Sequence, residues 1–135
     1  MKILVCGGAG FIGSAFIRNY FKNNPEDEIV NLDLLTIGSN LKNLKEIDQK
    51  QNYQFIKDDI KNKNLIDKLV SDVDVVVNFA AESHVDRSIA NPKPFIDTNI
   101  LGTFSLLESV RNHDNLFIHV STDEVYGDAE NKDPF

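Results

Sequence analysis

A doubly wound parallel α/β sheet is what this 135-residue chain predicts, on three observations. Short, continuous apolar runs rich in Val, Ile and Phe recur at 3–6, 29–32, 53–56, 73–80 and 116–120, as strands covered on both faces should. Helix-period segments separate them, so parallel neighbours can be joined by right-handed crossovers. The first run feeds straight into Cys6-Gly7-Gly8-Ala9-Gly10-Phe11-Ile12-Gly13-Ser14, a glycine-rich turn that opens a helix. The expected sheet has five strands in the order 3-2-1-4-5, with four helices between them.

The elements follow in turn. After the first strand, Phe11, Ile12, Phe16, Ile17, Tyr20 and Phe21 make one apolar helix face that ends near Asn23-Asn24-Pro25. Pro25-Glu26-Asp27-Glu28 reads as a solvated turn into the second strand. Residues 40–48, with Leu41, Leu44 and Ile47, predict the second helix. Residues 62–71, with Leu65, Ile66, Leu69 and Val70, predict the third. The longest helix is expected from about Pro92 to Asn112, with Pro92 near its first turn. Its apolar residues cover more than the stripe needed to pack on a sheet. Either later chain or a second subunit covers the excess, so a homo-oligomer is expected.

Composition narrows the class. With 41% hydrophobic and 26% charged residues, the chain fits one globular domain without low-complexity segments. A net charge of −7 argues against a general nucleic-acid or anionic-membrane partner. An anionic ligand must then be held by local backbone amides and a few cations. No apolar run has the length of a membrane span, and residues 1–15 lack a secretory pattern. The single cysteine, Cys6, excludes an internal disulfide and reads as a small buried residue in a cytoplasmic protein.

The glycine-rich turn is the arrangement that holds a pyrophosphate against a helix N-terminus. Gly7 and Gly10 let the backbone turn and approach the phosphate, and Gly13 lets the helix pack close to the strand. Asp33 closes the second strand twenty residues beyond Gly13, where a carboxylate meets the ribose hydroxyls of NAD. Asp59, after the third strand, either accepts from an adenine amino group or caps a helix.

Two further segments leave carboxyl ends of strands, where ligands lie in open α/β sheets. Asn78–Ile89 follows the fourth strand: Ala80 and Ala81 leave room for a cofactor, and Ser83, His84 and Arg87 offer donors for hydroxyls and phosphates. His119–Asp128 follows the fifth, with Thr122 supplying a hydroxyl and Asp123 and Glu124 adjacent carboxyl groups. A protonated carboxyl can donate to a leaving oxygen while an ionised one removes a carbon-bound proton, a pair suited to eliminating water. His113 reads as solvent-exposed and His119 as a packed or hydrogen-bonded strand residue. No His, Cys, Asp or Glu spacing predicts a metal site.

Together, GGAGFIGS at 7–14, AAESHVDRSI at 80–89, TNILGT at 98–103 and STDEVYGD at 121–128 resemble the dTDP-glucose 4,6-dehydratases of the extended short-chain dehydrogenase/reductase superfamily. The resemblance runs from Met1 to about Asp128 and implies a Rossmann domain. It implies that NAD takes hydride from C4 of the sugar, that water is lost across C5 and C6, and that hydride returns to C6. By position, Asp123 is then the acid at the C6 oxygen, Glu124 the base at C5, and Thr122 the hydrogen-bonding partner of the C4 oxygen. Phe11, Ile12, Asp33, Asp59, Ile60, Ala80, Ala81 and Thr98 bind NAD, and Ser83, His84 and Arg87 lie near nicotinamide or substrate.

This chain has Leu34 and Ile37 where a typical member has lysine and tyrosine, while Asp33 keeps the preference for NAD over NADP. The superfamily's Tyr-x-x-x-Lys pair is expected downstream of Gly127, and Tyr126 has Glu130 four residues on. The chain is therefore expected to be an NAD-binding domain cut before that pair and before the substrate domain, and silent by itself. A related nucleotide-sugar epimerase or decarboxylase, and a non-enzymatic NAD-binding or assembly module, stay open as alternatives.

Overall fold

Alternate residues of β1, Lys2–Cys6, supply the two hydrophobic layers of the molecule. Ile3 and Val5 point to one face, and Leu4 and Cys6 to the other. The computed structural model describes residues 1–127, with β2 at Glu28–Leu32, β3 at Tyr53–Ile56, β4 at Val75–Asn78 and β5 at Leu116–His119. All pairings are parallel and the order is β3-β2-β1-β4-β5, as the alternation predicts. Asp128 and Glu130 lie outside the described residues.

Helix α1, Phe11–Asn23, covers the Ile3/Val5 face with Ile17 and Phe21, joined there by Leu44 and Ile47. Helices α2, Lys63–Val70, and α5, Thr103–His113, cover the Leu4/Cys6 face with Ile66, Val70, Leu106 and Val110. Burying this much aliphatic surface on both sides of the sheet is the main stabilising term. Asn62 caps α2 with its side-chain oxygen on the Leu65 N–H. His113 is exposed, as its place in a polar connection predicts. Its Nε2 lies 2.9 Å from Asp67 Oδ1, tying α5 to α2. The Pro25–Glu28 turn is also anchored: Asp27 accepts from the Tyr20 hydroxyl at 2.6 Å and from the N-terminal ammonium at 2.8 Å.

Three elements differ from expectation. Residues 40–48 hold a 3₁₀ turn, Leu41–Leu44, rather than an α-helix. Leu41, Leu44 and Ile47 are spaced by threes, which matches three residues per turn and misses 3.6. Val85–Ala90 forms a short helix, α3, inside the segment expected to be loop; none of its residues is buried, so no apolar stripe announces it. The long helix runs on as α4 at Lys93–Phe95, a π-helical stretch Ile96–Gly102, and α5. Its second apolar face is exposed at Ile96, Ile100, Phe104 and Leu107. On β5, Leu116 and Ile118 are exposed as well.

Among the described residues no helix is long and apolar enough to cross a membrane. Nor does any group of three His, Cys, Asp or Glu side chains stand close enough to hold a metal ion.

Candidate functional site

Ile56, Leu32, Cys6, Asn78 and His119 form one row across the carboxyl edge of the sheet. The predicted site segments leave from that row. Gly7 follows Cys6, Asp33 follows Leu32, Asp59 comes three residues after Ile56, Ala80 two after Asn78, and Thr122 three after His119. The sheet order reverses between β1 and β4, so the crevice opens beside Gly7 and Ala80.

The turn between β1 and α1 is built by close backbone approach. Gly7 has φ +75°, and a Cβ there would lie 2.6 Å from the Ala80 nitrogen. A Cβ on Gly13 would collide with the Gly7 carbonyl, so the first turn of α1 rests directly on the loop. Gly10 differs: its φ of −71° is ordinary, and a Cβ would meet only the Gly7 oxygen, at 3.3 Å. A side chain there is therefore hindered by that one backbone oxygen alone. Gly8, which the motif reading left aside, is wedged against the Asn31 side chain and Ile17.

Helix α1 begins without a side-chain cap and without an acid in its first turn. The amides of its first turn have no intrahelical acceptors and carry the positive end of the dipole, so the cradle suits an anion. Phe11 and Ile12 flank it, 87% and 60% exposed.

Asp33 is 6% exposed and already occupied by backbone. Its Oδ2 accepts from the Ala9 N–H at 2.9 Å and its Oδ1 from the Leu35 N–H at 2.8 Å. Each oxygen keeps a second lone pair for a hydroxyl donor. The carboxylate thus shapes the glycine turn and retains capacity toward a ribose. Burial, with the Asp33 charge nearby, pushes the Cys6 thiol up to about 12, so it stands neutral in the core. The residues present fit a dinucleotide: an open amide cradle with a carboxylate one strand over.

Asp59 does not cap α2. Its Oδ1 accepts from the Lys61 N–H at 2.9 Å and its Oδ2 pairs with Lys61 Nζ at 3.4 Å. The Ile60 side chain is buried against Leu106 and Gly102, which leaves its backbone, rather than its side chain, to meet a ligand.

After β4, Asn78 orders the exit. Its Oδ1 accepts from the Ala80 N–H at 3.0 Å and its Nδ2 lies 3.2 Å from His119 Nδ1. Ala81, Ser83, His84 and Arg87 are exposed, with His84 at the start of α3. Arg87 lines a cleft of about 520 Å³ with Thr36, Ile37, Glu82 and Phe95. Thr98 is half-buried in the π-helical stretch, and its neighbour Asn99, which the motif reading passed over, clamps Glu82 main chain from both sides.

After β5, Thr122 caps a 3₁₀ turn, Asp123–Tyr126. Its Oγ1 accepts from the Glu124 N–H at 3.1 Å and donates to Asp123 Oδ1 at 3.2 Å, and all three side chains are exposed. One Tyr-x-x-x-Lys spacing does occur, but Tyr53 opens β3 and Lys57 lies just past its end. Extended backbone separates such a pair by about 13 Å, so the two cannot act together. The Tyr53 hydroxyl instead accepts from Asn31.

The family described as GDP-mannose 4,6 dehydratase matches residues 4–135. The chain is 50% identical over 129 residues to the low-salt glycan biosynthesis protein Agl12 of Haloferax volcanii, covering 95% of this chain and 41% of that protein. It is 48% identical over 146 residues to a dTDP-glucose 4,6-dehydratase of Escherichia coli, covering 98% and 40%. The solved DesIV dTDP-glucose 4,6-dehydratase of Streptomyces venezuelae, with NAD and TYD bound, superposes with a TM-score of 0.90 at 43% identity, covering 97% and 42%. The chain thus spans about two-fifths of the length of the relatives it matches.

Proposed function

The chain belongs to the GDP-mannose 4,6 dehydratase family, and on that footing we propose that it is the coenzyme-binding part of an NAD-dependent nucleotide-sugar 4,6-dehydratase, with dTDP-glucose or a close relative as substrate. The observation that carries this reading is topological. The open amide cradle after β1 and the Thr122-Asp123-Glu124 triplet after β5 leave the same edge of the sheet, on either side of the β4 exit.

NAD, when bound, accepts hydride from C4 of the sugar and returns it at C6. The chain's residues do the rest. The first-turn amides of α1 hold the pyrophosphate, and Asp33 takes the adenosine ribose hydroxyls. The Thr122 hydroxyl hydrogen-bonds the C4 oxygen. Glu124 removes the C5 proton, the freed electron pair forms the C5–C6 double bond, and the C6–oxygen bond breaks. Asp123, protonated, gives its proton to that oxygen, which leaves as water. The adjacent acids favour this reading over epimerisation, which expels no water.

The C4 hydroxyl proton needs a further base, which we assign to no residue of this chain. The 135 residues alone are therefore expected to bind NAD without turnover. We also read the exposed face of the long helix as a subunit contact, which sedimentation of the chain tests.

Calorimetric titration with NAD tests the first step, and absence of uptake removes the reading. Product analysis on a longer protein containing this chain tests the second. A 4-keto-6-deoxy sugar nucleotide supports it, whereas a C4 epimer that keeps its C6 oxygen moves the chain to the epimerases.

A further inference from the structure

We propose that the cleft between α1 and residues 42–50 binds a compact anion carrying a chain of phosphoryl groups, at a place separate from the coenzyme cradle. Arg18 and Lys22 line it from α1, and Lys42, Lys45, Glu46 and Lys50 from the other wall. Phe21 and Ile47 close the floor, and the volume is about 680 Å³, within the range of small-molecule sites.

The charge pattern is the first argument. The chain carries −7 overall, yet five of its 14 basic residues surround this one cleft against a single acid. None of the five has a carboxylate partner among the described residues, whereas Lys2, Lys61, Lys93 and Arg111 each do. Their spacing is the second. Arg18 and Lys22 stand one turn apart on α1, and Lys42 and Lys45 stand at i, i+3 across a 3₁₀ turn, where side chains eclipse. Both arrangements set like charges together, a repulsion that an anion in the cleft would relieve.

The walls are organised in advance. Arg18 Nη1 donates to the Asn43 carbonyl at 2.6 Å, and Lys50 Nζ lies 5.3 Å above the Phe21 ring. Lysine ammonium groups act as point charges on phosphoryl oxygens, and the Arg18 guanidinium adds a fork. The occupant is compact because the positive field is local. Beyond a screening length of about 8 Å the acidic remainder of the molecule opposes an extended polyanion.

This inference stands apart from the proposed dehydratase activity. The test is calorimetry of the full 135-residue chain in 0.15 M salt, with inorganic tripolyphosphate and then a nucleoside triphosphate as probes. The expected result is saturable uptake that NAD does not displace. The Lys42→Gln/Lys45→Gln variant, which changes two exposed side chains, should weaken it at least tenfold, and Lys42→Arg/Lys45→Arg should preserve it. Tighter binding of the nucleoside triphosphate supports a nucleotide as the occupant, and equal binding supports the phosphate chain alone. Absence of saturable uptake, full displacement by NAD, or equal uptake by the glutamine variant overturns the proposal. So does binding confined to duplex DNA or anionic vesicles.

Discussion

Asn99 grips the main chain of Glu82 with both ends of its carboxamide. Oδ1 accepts from the Glu82 N–H and Nδ2 donates to the Glu82 carbonyl, each at 2.8 Å. The pair joins the π-helical stretch to the loop that carries Ala81, Ser83 and His84, so the loop's position depends on a residue 17 positions downstream.

Asn99→Ala is expected to cost about 1–2 kcal/mol, since two partly solvated hydrogen bonds are lost. Amide exchange at Glu82 should speed up while exchange in β1 stays unchanged. Unchanged protection at Glu82 would show that the loop is held by something else.

The glycines of the first turn should separate folding from binding. Gly7→Ala meets both a positive φ and the Ala80 backbone, and is expected to cost about 3 kcal/mol or more. Gly10→Ala, with an ordinary φ and one close contact at 3.3 Å to the Gly7 oxygen, should cost about 1 kcal/mol, well below Gly7→Ala, and still weaken NAD binding. Denaturant melts beside NAD titrations decide it; normal NAD affinity in Gly10→Ala would move the phosphate elsewhere.

Asp33→Ala strips acceptors from the Ala9 and Leu35 amides, and charged hydrogen bonds of this kind contribute about 1.5–3 kcal/mol each. The native chain should bind NADP about a hundredfold more weakly than NAD, because a 2′-phosphate would meet the Asp33 carboxylate. Parallel titrations with the two coenzymes measure this ratio.

Stability should fall at acid and alkaline pH for identifiable reasons. The N-terminal ammonium and the Tyr20 hydroxyl hold Asp27 below its ordinary 3.8; His113 and Ser109 do so for Asp67, and Lys93 and Lys61 for Asp97. Depressed carboxyls stabilise the fold fully above 3.8, and that contribution is lost as pH falls through their lower folded values. Asp27 in turn raises the N-terminal ammonium above 8.0, a contribution present below pH 8.0 and lost as pH rises through the folded value. Thermal melts from pH 3 to pH 10 should show both limbs, and Asp27→Asn should flatten the alkaline one.

The sheet is readable because buried parallel strands appear as unbroken apolar runs: β3, β4 and β5 lie within such runs, and β1 and β2 each begin one charged residue earlier, at Lys2 and Glu28. The Leu41–Leu44 turn is not, because a spacing of threes over so short a stretch imitates a helix face. Helix α3 hides because Val85 and Ile89 are both exposed, so burial leaves no period there. In the site, Asp33 and the glycines announce themselves by spacing. The bonds from Ala9 to Asp33 and from Glu82 to Asn99 join residues far apart in sequence, and only the folded chain brings them together. Within TNILGT, the residue types single out Thr98 and Asn99 equally, and geometry alone identifies the clamp.

Cys6 gives this molecule an internal reporter. Sitting in the central strand with its proton firmly held, the lone thiol can meet an alkylating reagent only when the strands around it part. The rate at which it is labelled under native conditions therefore clocks how often the middle of the sheet opens, and any ligand that tightens the first turn should slow that clock.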